Sequence, residues 1–82
     1  MSHIFDESDL FALIARLLGI SQMELNSKSA ASDFDLWDSV MQLEIVAGLD
    51  NLIPGLLDFC PELPSKTSVA ELLVEISNFQ KS

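Results

Sequence analysis

The apolar residues in the long segments of this chain recur with the period of an α-helix, and this spacing most constrains its fold. Near the N-terminus they recur three, four and seven residues apart, at Leu10, Leu13, Ile14, Leu17 and Leu18. Gly19 predicts the end of that helix. Near the C-terminus the same spacing relates Val69, Leu72, Leu73 and Ile76. Ser68 and Glu71 form a capping-box pattern at the start of this last helix. No segment alternates apolar and polar residues as a half-buried strand would.

A further long helix is predicted from Ser39 to Ile53, because Pro54 disfavours helical geometry at the residue before it. The segment between Pro54 and Pro61 has room for one short apolar turn. Residues 20–38 form a long connection with one turn at Ser21–Glu24, and loops of this length are often functional. The sequence therefore predicts an all-α domain over residues 1–82. It is a small bundle of three main helices and one short helix, with a long loop after the first helix.

The composition and charge of the chain exclude several classes of protein. No apolar stretch approaches the ~18 residues that a membrane span needs. Thirteen acidic and four basic residues give a net charge of −9, which argues against nucleic acid or an anionic membrane as a partner. The single cysteine, Cys60, cannot form an internal disulfide, and this favours the cytoplasm. A small domain of this kind is expected to be a monomer.

The acidic residues are concentrated in the middle of the chain. Residues 29–65 contain no lysine or arginine, and their acids are Asp33, Asp35, Asp38, Glu44, Asp50, Asp58 and Glu62. One interpretation is a solvated face that keeps an apolar small protein soluble. The other is a docking surface for basic partners, whose encounter is steered by charge.

The start of the second long helix carries the strongest functional pattern, Trp37-Asp38-Ser39-Val40. Ser39 and Gln42 match a capping box, so Ser39 could be only a helix cap. Asp38 could instead be the N-cap, which would leave the Ser39 hydroxyl in the first turn and directed outward. A phosphodiester at that position would lie beside the unpaired N–H groups and the positive end of the helix dipole.

This pattern resembles the attachment site of the acyl carrier protein family, in which a serine after an aspartate carries a 4′-phosphopantetheine arm. In that family apolar residues follow the serine at four, six, seven and ten residues, with an acid at five. Here those positions hold Leu43, Ile45, Val46, Leu49 and Glu44. The order of helices resembles that family along nearly the whole chain.

The resemblance implies a non-catalytic carrier that holds an acyl or aminoacyl group as a thioester on an arm at Ser39, with Trp37, Asp38 and Val40 beside it. The implied partners are a phosphopantetheinyl transferase, a loading enzyme, and acyl-processing enzymes such as a ketosynthase or acyltransferase. Many fatty-acid carriers have glycine at the position of Leu36, a small residue at that of Trp37, and an acid at that of Met41. The Trp-Asp-Ser form is more similar to stand-alone carriers of specialised pathways.

Other interpretations of the same residues compete with the carrier. An acidic helical interaction module without a prosthetic group would need Ser39 only as a cap. Asp33, Asp35 and Glu44 fall at positions 1, 3 and 12 of an EF-hand calcium loop, but Trp37 and Asp38 stand where that loop needs a ligand and a glycine. Enzyme chemistry lacks support, because His3 is the only histidine and lies in the N-terminal tail. Cys60, between Phe59 and Pro61, is expected to be a small buried residue.

The second helix is also the predicted partner-recognition element. Met41, Glu44, Gly48 and Asn51 share its least apolar stripe, and Met41, Glu44 and Asp38 are the predicted partner contacts. The alternative is that Met41 packs into the bundle and Glu44 is one more solubilising charge. Trp37 is either an anchor of the loop or a contact beside Ser39. The side expected to face the bundle comprises Leu43, Val46, Leu49 and Ile53.

Overall fold

The computed structural model of the protein describes residues 4–81, so His3 lies outside the described residues. These residues form a small all-α bundle, which confirms the predicted fold class. Its helices are α1 (Glu7–Leu18), α2 (Ser39–Leu52), α3 (Leu56–Phe59) and α4 (Val69–Lys81). No strand occurs over residues 4–81; one isolated bridge pairs Ala30 with Ser68. None of the helices in this range is long and apolar enough to cross a membrane.

Local side-chain and backbone chemistry sets the ends of α1. The Asp9 N–H donates to Oδ1 of Asp6 at 3.1 Å, and the Asp6 N–H donates to Oδ2 of Asp9 at 3.0 Å. This is a capping box in which aspartate takes the place of the usual glutamate. At the other end Gly19 adopts a left-handed conformation, with φ of 72°, which glycine reaches without steric cost. The predicted end at Gly19 is therefore confirmed.

The core lies where α1, α2 and α4 meet, and α3 with the turn after it closes one side. The fully buried large side chains are Leu10, Ile14, Ile45, Leu49, Leu56, Leu63, Val69, Leu72 and Ile76. Burying each aliphatic side chain of this size contributes about 1.5–3 kcal/mol. The apolar faces predicted for the first and last helices are the faces that pack.

The face predicted for α2 is correct at three of its four residues, since Val46, Leu49 and Ile53 are buried, and wrong at Leu43. The residues of α2 that face the core are Gln42, Ile45, Val46 and Leu49, spaced by three, four and seven residues. Leu43, expected to face the bundle, is 58% exposed. Gly48, expected on the outer stripe, faces α1, and a Cβ built on it would lie 3.0 Å from Cδ1 of Leu13.

The long loop after α1 is fixed to the start of α4 by main-chain hydrogen bonds. It contains two 3₁₀ turns, Gln22–Glu24 and Ala31–Asp33, and the first is the predicted turn with its capping box at Ser21. The Ala31 N–H donates to the carbonyl of Thr67 at 2.8 Å, and the Val69 N–H donates to the carbonyl of Ser29 at 2.9 Å. These bonds place the loop against the bundle, and its last residues lead directly into α2.

Candidate functional site

Ser39 is the first residue of α2, and its side chain is exposed. Asp38 is the N-cap, because its Oδ1 accepts a hydrogen bond from the Met41 N–H at 2.9 Å. Within residues 4–81 the Ser39 hydroxyl has no hydrogen-bond partner. The capping role that the sequence left open between the two residues therefore belongs to Asp38, and the Ser39 hydroxyl is accessible to a reagent in solution.

The first turn of α2 presents a positive end to this hydroxyl. The helix ladder starts with the Gln42 N–H, which donates to the Asp38 carbonyl at 2.8 Å. The N–H groups of Ser39 and Val40 precede that bond, so they have no partner in the helix. Together with the helix dipole they favour an anionic group bonded to Ser39. The Asp38 carboxylate opposes this in part, but its oxygen is already engaged by the Met41 N–H.

Trp37 is the anchor of the loop. Its side chain is 3% exposed, and its indole Nε1–H donates to Oε1 of Gln42 at 2.7 Å. The amide of Gln42 in turn donates to the carbonyl of Lys66 at 2.9 Å and makes a longer contact of 3.5 Å with that of Leu63. Burial of the ring favours the anchor over the alternative of a surface contact beside Ser39. Gln42 was not among the predicted site residues.

The exposed surface around Ser39 combines apolar and acidic side chains. Leu36, Val40 and Leu43 are 63%, 66% and 58% exposed. Leu43 lies one helical turn after Ser39, and Glu44, also exposed, lies one turn after Val40. Met41 is half-buried and packs against the core. The apolar part of this surface is therefore supplied by Leu43 and Val40 more than by Met41, which was predicted to make the apolar contact.

The acidic residues of the competing EF-hand pattern are not gathered into a metal site. Between residues 4 and 81, no group of three or more His, Cys, Asp and Glu side chains is placed to hold a metal ion. Oδ2 of Asp33 instead accepts a hydrogen bond from the Ala30 N–H at 3.0 Å. This bond closes a 3₁₀ turn in the region where an EF-hand would wrap its loop around the ion.

Cys60 is buried, as predicted, with 8% of its surface exposed. Burial, followed by the negative charge and hydrogen bond of Glu75, raises the pKa of its thiol. The thiolate is the reactive form of cysteine, so this side chain is suited to packing and not to nucleophilic attack.

Two of the open grooves along the helices differ in their distance from Ser39, and the larger of these two is remote from it. It measures about 370 Å³ and includes Phe5, Arg16 and Leu52 in its lining. Leu52 ends α2, roughly 20 Å along the helix axis from Ser39 at 1.5 Å per residue. The smaller groove, about 230 Å³, lies next to the loop and includes Phe34 and Leu36.

Comparisons of the chain with protein-family models, with curated proteins and with solved structures find no match. The geometry at the start of α2 is therefore the feature of this protein that points to a function.

Proposed function

We propose that this protein is a carrier whose Ser39 hydroxyl bears a 4′-phosphopantetheine arm. The observation that carries the proposal is the division of roles at the start of α2: Asp38 caps the helix, and the adjacent Ser39 hydroxyl is exposed and has no partner within residues 4–81. A serine that only capped the helix would have its oxygen engaged by a backbone N–H. The exposed hydroxyl is instead available for covalent modification.

The modification is a phosphoryl-type transfer performed by a separate enzyme. Oγ of Ser39 would attack the β-phosphorus of coenzyme A, the bond from that phosphorus to the bridging oxygen would break, and 3′,5′-ADP would leave. The serine proton passes to a base of the transferase, and a metal ion held by the transferase clamps the pyrophosphate. The phosphodiester formed at Ser39 is then stabilised by the first-turn N–H groups and the dipole of α2.

When attached, the arm would supply a terminal thiol that holds an acyl or aminoacyl group as a thioester. The chain itself needs no catalytic group for this role. It presents Ser39 on a fixed helix start, and the exposed residues around it meet the partner enzymes. A carrier loaded from coenzyme A would work in the cytoplasm, as a monomer.

The partners in this proposal are a phosphopantetheinyl transferase, a loading enzyme and enzymes that process the acyl group. Asp38 and Glu44 would pair with basic groups on these enzymes, and Leu43 and Val40 would supply the apolar contact. The formal charge of −9 strengthens the attraction of a basic partner. Met41, which was predicted to make the apolar contact, would add only its exposed part.

An acidic interaction module without a prosthetic group would use the same exposed surface, since Leu36, Val40 and Leu43 are all solvent-accessible. Intact mass separates the two functions. After incubation with coenzyme A, magnesium and a promiscuous phosphopantetheinyl transferase, the carrier gains the mass of one phosphopantetheine group. Ser39→Ala should abolish the gain, whereas Ser21→Ala and Ser68→Ala, which alter two capping serines, should retain it. An unmodified wild-type chain, under conditions that modify a known carrier, would leave the interaction module as the better function.

A further inference from the structure

Gln42 is a polar residue on the inner face of α2, at a position where the spacing of the helix calls for an apolar side chain. It is 4% exposed and shares its face with Ile45, Val46 and Leu49. Burying a carboxamide is costly unless its donors and acceptor are engaged. Throughout residues 4–81, no buried side-chain nitrogen or oxygen lacks a partner. The hydrogen bonds of the Gln42 carboxamide therefore offset the cost of burying it.

The bonds of Gln42 converge on the two residues that immediately precede Ser39. Its side-chain Oε1 accepts from the Trp37 indole at 2.7 Å, and its main-chain N–H donates to the Asp38 carbonyl at 2.8 Å. Its Nε2 donates to the carbonyl of Lys66 at 2.9 Å. One residue thus joins the end of the loop, the first turn of α2 and the segment after α3.

We infer that Gln42 is a positioning residue for Ser39. Its carboxamide links Trp37 to the turn at Leu63–Ser65 and to Lys66, and it thereby fixes the segment that carries the Ser39 hydroxyl. The inference rests on the proposed function, since it assigns Gln42 a role in presenting that hydroxyl. Without the carboxamide, the indole N–H would lose its acceptor. The residues before Ser39 would then keep the apolar contacts of Trp37, the Asp38 cap, and the main-chain bonds from Trp37 to Phe34 and from Gln42 to Asp38, but no bond to the segment at residues 63–66.

A methionine or leucine at position 42 would extend the apolar face of α2, and the helix propensity of either residue is about equal to that of glutamine. Replacing both partners of a buried hydrogen bond by apolar groups is close to neutral for stability. Stability alone therefore does not require the Trp37–Gln42 pair. A fixed orientation of the reacting hydroxyl, by contrast, does require this pair. Displacement of a nucleophile by about 1 Å can cost on the order of 100-fold in rate.

The test uses Gln42→Met in the full chain, with Gln22→Met as the matched control, since Gln22 is exposed. Transfer of phosphopantetheine is followed by intact mass at a temperature where circular dichroism shows every variant to be folded. We expect Gln42→Met to lower kcat about tenfold, equivalent to ~1.4 kcal/mol of barrier. The KM for the carrier should change less than twofold, because Leu43 and Glu44 are untouched. Gln22→Met should match the wild type, and an unchanged kcat for folded Gln42→Met would overturn the inference.

Hydrogen exchange gives a readout that does not depend on the transferase. In wild-type protein the Trp37 indole N–H and the Met41 amide should be protected, and Gln42→Met should raise both exchange rates at least about tenfold. If Gln42→Met does not fold, Trp37→Phe removes the indole N–H together with the pyrrole part of the ring and keeps an aromatic side chain, and its kcat should fall in the same way. The double variant should lose no more kcat than Gln42→Met alone, because both changes break one chain of hydrogen bonds.

The two proposals fail in different ways. A wild-type chain that accepts no arm refutes the carrier, and with it the role of Gln42 in transfer. A wild-type chain that is modified, together with a Gln42→Met variant that exchanges and reacts at wild-type rates, refutes only the positioning role. A purely structural Gln42 would lower the stability of the variant and leave kcat of the folded protein unchanged.

Discussion

The division of roles between Asp38 and Ser39 makes a quantitative prediction about stability. Asp38 caps α2 through the bond from the Met41 N–H, and loss of an N-cap side chain costs typically ~1 kcal/mol. Ser39 is exposed, and its hydroxyl bonds to nothing within residues 4–81. Substitutions at such surface positions change the free energy of unfolding by less than about 0.5 kcal/mol. We therefore expect Asp38→Ala to destabilise the domain and Ser39→Ala to leave it nearly unchanged.

Urea unfolding measures this difference directly. Trp37 is the only tryptophan and is 3% exposed, so its fluorescence reports unfolding without a label. With a slope of about 1 kcal/mol per molar urea for a small domain, Asp38→Ala should lower the midpoint by ~1 M. Asp38→Asn keeps the accepting oxygen and should recover most of that loss. If Ser39→Ala lowered the midpoint as much as Asp38→Ala does, Ser39 would be the cap, and the argument for a free hydroxyl would be refuted.

Three further predictions follow from the orientation of α2, its charge and the buried thiol. Ile45→Ala should lower the free energy of unfolding by ~2–5 kcal/mol, because Ile45 is fully buried, and Leu43→Ala by less than about 1 kcal/mol; the reverse order in urea unfolding would contradict the burial of Ile45 and the exposure of Leu43. Glu44→Lys should slow transfer of the arm, most at low salt, and Glu24→Lys should matter much less; equal effects of the two in a salt series would mean that only net charge acts. The Cys60 thiol should react slowly with a thiol reagent in the native state, and a fast native reaction near neutral pH would contradict its burial. Because the pKa of this thiol is raised in the folded protein, the free energy of unfolding should decline as the pH rises past the ordinary thiol pKa.

The sequence predicted the elements of this fold and most of the inward face of α2. The faces of α1 and α4 follow from apolar residues alone, so their spacing was sufficient. In α2 the prediction was correct for Val46, Leu49 and Ile53, but the first inward residue is the polar Gln42 and not Leu43. Two signals in the sequence could have identified Gln42 as an inward residue. It lies three and four residues before Ile45 and Val46, and the indole N–H of Trp37 needs a hydrogen-bond acceptor.

The folding of the long loop against α4 could not be predicted in the same way. The bonds from Ala31 to Thr67 and from Val69 to Ser29 join main-chain groups. Main-chain groups are the same in every residue except proline, so their pairing over a long sequence distance leaves no pattern in the side chains. At the start of α2, the sequence indicated Asp38 and Ser39 as the two candidate caps. It left the choice of cap open, and it placed the apolar contact on Met41 when Leu43 is the more exposed residue.

Site-resolved mass spectrometry is the most direct test of the central claim, that the exposed hydroxyl of Ser39 carries the arm. Wild-type protein is treated with coenzyme A, magnesium and a promiscuous phosphopantetheinyl transferase, digested, and fragmented to locate the added group. We expect one phosphopantetheine per chain, on the peptide that contains Ser39 and on that serine. Addition at Ser21 or Ser68, or no addition under conditions that modify a known carrier, would contradict it.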